Sequence, residues 1–135
     1  MKHSRNVVLI IIVLGVLSTF GIMASTTSAI GGPSDLLVTL GFYLWVAVPF
    51  IVLIALTIYI HRKGLSTASR VAILITSILV VVSSVLIYWV SIFNSQSSTS
   101  ALVFVFIPVY ALAAIALMYG TAWLLLKSLM PKSKA

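Results

Sequence analysis

Four long apolar runs, separated by short polar stretches, set the pattern of this chain: Val7 to about Ser25, Leu36 to Ile60, Val71 to Phe93 and Ala101 to Leu126. A helix needs roughly 20 apolar residues to cross ~30 Å of hydrocarbon, and each run has about that length. None carries a charged side chain in its interior. The runs are rich in β-branched Val and Ile, yet they show no period-2 alternation and exceed the length of a barrel strand. An open strand would leave its backbone groups unpaired in lipid, whereas a helix satisfies them internally. The pattern therefore predicts four membrane-spanning helices, over about residues 7–27, 36–61, 70–93 and 100–126.

The connections carry their own signals. Gly31, Gly32 and Pro33 break the chain after the first run, and Ser34 and Asp35 offer side-chain oxygens to cap the second helix. Gly64 ends the second helix, and Ser66, Thr67 or Ser69 can cap the third. The stretch from Asn94 to Ser100 is a polar turn in which Ser98 to Ser100 can cap the fourth. Short links make sequential helices antiparallel neighbours. The expected fold is an all-α membrane protein, a single domain over residues 1–135 built as a four-transmembrane-helix, up-down-up-down bundle. The absence of an internal repeat speaks against an inverted-repeat transporter.

Composition removes the soluble alternative. With 62% hydrophobic and 7% charged residues, the chain is far from the half-apolar, quarter-charged balance of soluble domains. Its net charge of +7 invites a nucleic-acid reading, but such binders gather basic residues on a water-facing surface. Here Lys2 and Arg5 precede the first run, Arg62, Lys63 and Arg70 lie around the second loop, and Lys127, Lys132 and Lys134 follow the fourth run. Those are all the Lys and Arg in the chain, and a four-span topology puts every one on the same side. The positive-inside rule makes that side cytoplasmic. The chain is thus expected in the plasma (inner) membrane with both termini in the cytoplasm (N-in/C-in), and with Asp35, its only acid, outside. The basic fringe can hold anionic lipid headgroups. Residues 1–29 also have the layout of a secretory signal peptide, with Thr27-Ser28-Ala29 as a small-residue cleavage site. Cleavage would leave three spans and a new start at Ile30, but the long apolar stretch favours an uncleaved anchor.

Candidate chemistry is sparse. The chain has no Cys, which removes thiolate nucleophiles, disulfides and iron–sulfur ligation. No charge lies at membrane depth, unlike in small four-helix multidrug exporters that depend on an embedded glutamate. His3 and His61, the only histidines, sit beside Arg or Lys at the inner interface, which accounts for them better than a haem-ligating pair. No histidine is placed to activate a serine, no carboxylates pair for acid–base work, and no glycine-rich loop could cradle phosphate. An enzyme, a metal site and a cofactor are accordingly not expected.

What remains is packing. Gly15 with Thr19 and Gly21 with Ser25 on the first helix, and Ala113, Ala116 and Gly120 on the fourth, are small residues of the kind that let helices approach closely in lipid. Thr76, Ser77, Ser83 and Ser84 on the third can add interhelical hydrogen bonds. Pro49 and Pro108 should bend their helices. Aromatics crowd the outer side: Phe42, Tyr43, Trp45, Tyr88, Trp89, Phe93, Phe104, Phe106 and Tyr110. They form either an interfacial belt or an outer pocket for a quinone, lipid tail or pigment, with Tyr43, Trp45, Tyr88, Trp89, Phe104 and Tyr110 as its candidate wall. Tyr119 and Trp123 fit an inner belt.

The segment Ser98-Thr99-Ser100-Ala101-Leu102-Val103-Phe104-Val105-Phe106-Ile107-Pro108-Val109-Tyr110 resembles a stretch found in small, uncharacterised four-span bacterial membrane proteins. The likeness covers one helix of four and implies the same span count and no particular activity. A chain with so little polar machinery is expected to act by contact within the membrane, as an accessory or assembly subunit or modulator of a larger membrane complex. Two alternatives are a homo-oligomeric pore or small transporter (holin-like or immunity-type), lined by the hydroxyls of the third helix, and a lipophilic-ligand binder at the outer aromatics. The expected partners are lipid, other membrane subunits or further copies of the chain.

Overall fold

The computed structural model of the chain describes residues 2–27, 36–93 and 100–129. They form four helices: α1 (Lys2–Thr27), α2 (Leu36–Arg62), α3 (Thr67–Phe93) and α4 (Ser100–Leu129). Each contains a segment long and apolar enough to cross a membrane. The helices overshoot the apolar runs: α1 starts at Lys2 rather than at about residue 7, α3 starts at Thr67, and α4 continues to Leu129. Backbone bonding does not stop where hydrophobicity does. The extra turns carry basic side chains on helical backbone rather than on loops. The expected caps at Gly31 to Asp35, most of the Asn94 to Ser100 turn, and Lys132 and Lys134 lie outside the described residues.

The α2–α3 turn shows how local sequence sets geometry. The Lys63 N–H donates to the Tyr59 carbonyl at 3.0 Å, and the Leu65 N–H reaches back to the Ile60 carbonyl at 3.2 Å. Between them Gly64 adopts φ 61°, the left-handed conformation that closes a helix and that glycine accepts without a Cβ clash. Of the three candidate caps for α3, Ser66 serves: its Oγ accepts from the Ser69 N–H at 3.4 Å, and its carbonyl accepts from the Arg70 N–H at 3.3 Å. A Cβ at Gly64 would meet nothing within 4 Å, so the cost of substitution is conformational alone. Gly64→Ala should lower stability by about 1 kcal/mol, read as a shift in thermal unfolding of the detergent-solubilised protein. An unchanged midpoint would mean that this turn does not limit stability.

Helix α3 packs against all three others, most extensively against α4 and α1, while α2 packs on α4 and α1. Among the described residues the backbones of α1 and α4 do not approach each other closely. Of the helix pairs that do pack, the consecutive α2 and α3 share the least contact, with α1 and α4 each reaching both. One core cluster joins Val8 and Ile12 of α1, Phe50, Leu53 and Ile60 of α2, Ile73, Val80 and Val81 of α3, and Ala111 and Ile115 of α4. A second joins Ile22, Met23, Val46, Tyr88 and Ile107.

The closest approach is at Gly15. A Cβ built there would stand 2.6 Å from Val81 Cγ1 and 3.2 Å from Phe50 Cε1. One turn on, Thr19 is fully buried and its Oγ1 donates to the Gly15 carbonyl at 2.8 Å. The outside is apolar on every helix, with Leu14 and Leu17, Leu37 and Leu44, Ile87 and Trp89, and Leu117 and Leu124 all exposed. Water would not tolerate so large an apolar exterior, whereas lipid tails accept it.

Candidate functional site on helix four

Helix α4 is the least enclosed of the four, and two features meet on it. The first is a lateral groove against α3, of about 670 Å³, lined among others by Ser83, Ser84 and Ile87 of α3 and by Phe106, Tyr110 and Ala114 of α4. Its walls are apolar apart from the serines and the Tyr110 side chain. Ser83 is exposed and donates to the Val80 carbonyl at 3.2 Å. Ser84 is buried beside it.

The second feature is the small-residue face. Ala113 and Ala116 are exposed, and Gly120 is half-buried with nothing within 4 Å of where its Cβ would be. The contrast with α1 is sharp. Gly15 and Thr19 are spent inside the chain, against α2 and α3, whereas Ala113 and Ala116 take no part in its core. Gly21 also faces open space. The core side of α4 is carried instead by Ile107, Pro108, Ala111 and Ile115.

The outer aromatics do not share one wall. Tyr88 is buried in the second core cluster. Tyr43 packs edge-on against Phe20 with centroids 5.0 Å apart. Trp89 leans on Phe93 at 4.5 Å, and both are exposed. Trp45 donates its indole N–H to the Val105 carbonyl at 3.1 Å, tying α2 to α4. Of the described residues of the candidate wall, Tyr110 alone lines the α3–α4 groove. The Phe104 side chain lies outside the described residues. Near the other end of α4, Lys127 Nζ sits 4.8 Å from the Trp123 ring centroid, a cation–π contact.

The polar residues of the interior are few. Thr57 donates to the Leu53 carbonyl at 2.7 Å, and His61 donates its Nδ1–H to the Thr57 carbonyl at 2.9 Å. Thr76 and Ser77 are fully enclosed on α3, and their hydroxyls have no hydrogen-bond partner. His3 is exposed on α1. Among the described residues no group of His, Asp or Glu is placed to hold a metal ion. Sequence reasoning had no signal for the groove or for the Trp45 tether, since both depend on how the helices are rotated. Comparison of the chain with protein-family models, with curated proteins and with solved structures finds no match.

Proposed function

We propose that this chain is a small accessory or assembly subunit of a larger membrane complex, engaging a transmembrane helix of its partner through the outer face of α4. The observation that carries the reading is the contrast between two small-residue pairs: Gly15 and Thr19 of α1 serve packing within the chain, while Ala113, Ala116 and Gly120 of α4, like Gly21 of α1, are left at an open surface. Small residues are useful in lipid where another backbone must come close, and among the described residues none lies within 4 Å of where a Gly120 Cβ would stand. In this reading the helices form an up-down-up-down bundle in the plasma membrane, supported by the placement of all eight basic residues at one side of the four-span order. Both termini are then cytoplasmic, and the chain does its work without catalysis.

Gly120→Leu and Ala116→Leu test this directly. Because both sites are open on the α4 surface, each variant should accumulate and unfold like the parent. Each should lose the larger assembly when the protein is purified from its native host in mild detergent. Retention of a stoichiometric partner in both variants would sink the proposal.

The second reading, a homo-oligomeric pore or small transporter, takes support from the hydroxyls of Thr76, Ser77 and Ser84. These are buried within one chain, so a homo-oligomeric pore lined by them requires the helices to rotate when copies associate. Flux across liposomes containing the purified chain distinguishes the two readings.

A further inference from the structure

The described arginines and the loop lysine divide into two groups that the sequence does not separate. Arg62 and Lys63 are exposed, as expected of side chains that mark one face of a membrane. Arg5 and Arg70 are half-buried, and the Nε of each is shut off from solvent with no hydrogen-bond partner. Each also sits on an inward-facing stripe. Arg5 lies three residues before buried Val8, and Arg70 three before buried Ile73, and both of those residues belong to the same core cluster.

The contacts between α1 and α3 put the two arginines at the same level. Gly15 lies against Val81, Val8 and Ile12 share a cluster with Ile73, and Ile22 and Met23 share the other with Tyr88. The two helices therefore run the same way, and their first turns stand side by side. A buried guanidinium N–H needs an acceptor, and Asp35, the only acid in the sequence, directly precedes Leu36, at the far end of α2 from Arg62. Both arginines also occupy the first turn of a helix, where the dipole disfavours a cation. The local field asks for an anion that the described residues do not supply.

We infer that Arg5 and Arg70 form a binding site for a phosphate group at the membrane interface, filled by the phosphodiester of an anionic lipid. The Nη edge of a guanidinium presents two N–H groups as a planar fork that matches two oxygens of one phosphate, and lysine cannot reproduce this. The level fits a headgroup, since the arginines stand immediately before the apolar runs that begin at Val7 and Val71.

The test uses the purified full chain in detergent, titrated with phosphatidylglycerol, phosphatidylcholine or inorganic phosphate, with thermal stabilisation and native mass spectrometry as readouts. The variants are Arg5→Lys/Arg70→Lys and, as a control, Arg62→Lys. All keep the net charge and with it the topology signal. The expected result is saturable stabilisation by phosphatidylglycerol, weakened about tenfold in the double variant and unchanged in the control. Stabilisation by the lipid and not by inorganic phosphate assigns the site to a headgroup; stabilisation by both assigns it to phosphate at large. No saturable binding of either, or an equal loss in Arg62→Lys, overturns the site and leaves only a diffuse basic fringe.

Discussion

Gly15→Leu is expected to abolish the folded bundle, and Gly15→Ala to destabilise it by about 1–3 kcal/mol. The added Cβ of the alanine would lie 2.6 Å from Val81 Cγ1, with Val81 Cγ2 and Phe50 Cε1 both at 3.2 Å. Val81 cannot yield easily. It is β-branched on a helix, where one χ1 rotamer dominates, and it is buried in the core. Phe50 is nearly fully enclosed as well. The remaining way to admit the methyl is to push α1 outward, which separates Val8 and Ile12 from the Ile73 and Val80 packing surface. In a bilayer this loss is felt as lost van der Waals contact, since lipid tails are as apolar as the side chains themselves.

The measurement is thermal or denaturant unfolding in detergent, and the decisive version is a double-mutant cycle. Val81→Ala removes both methyls that meet the new Cβ, so Gly15→Ala should cost much less in a Val81→Ala background than in the parent. Additive losses would mean that α1 and α3 do not approach at Gly15 as described.

That contact also marks how far the sequence could be read. The existence and order of four helices follow from the apolar runs, because a bilayer leaves the backbone no other way to satisfy itself, whereas their ends run past those runs. Gly15 and Thr19 read as a candidate packing pair from their size and spacing alone. The rotation of each helix was not legible. In a soluble bundle an apolar stripe points to the core, but here Leu14, Leu17 and Leu117 face outward and are as apolar as Ile12 or Ile115. With no polar face to read, Ala113 and Ala116 looked as able to pack inside as Gly15 did. The aromatics carry no rotation signal either: Tyr88 and Trp89 are adjacent in sequence, yet one is core and the other surface. The split of the basic residues into covered and exposed pairs likewise depends on rotation, and so appeared only with the structure.

Thr76→Val together with Ser77→Ala is expected to stabilise the protein, by about 1–3 kcal/mol for each hydroxyl removed. Thr19 and Thr57, equally buried, return their hydroxyl protons to the carbonyl four residues earlier. Thr76 and Ser77 do not, and their oxygens have no partner. In the separated helix these hydroxyls are free to turn to the same backbone acceptors, so packing leaves them worse off than the unpacked state. Valine keeps the shape of threonine and alanine nearly that of serine, so little packing is lost when the unmet demand disappears. A higher unfolding midpoint in detergent is the expected outcome. A clear loss of stability would show that the hydroxyls are satisfied in the membrane by water or by each other. Measured with liposome flux, the same variant also separates the two functional readings. Increased stability with no effect on assembly belongs to an accessory subunit whose interior is plain packing. Lower stability accompanied by lost flux belongs to a hydrated path through the bundle, with Thr76 and Ser77 on its wall.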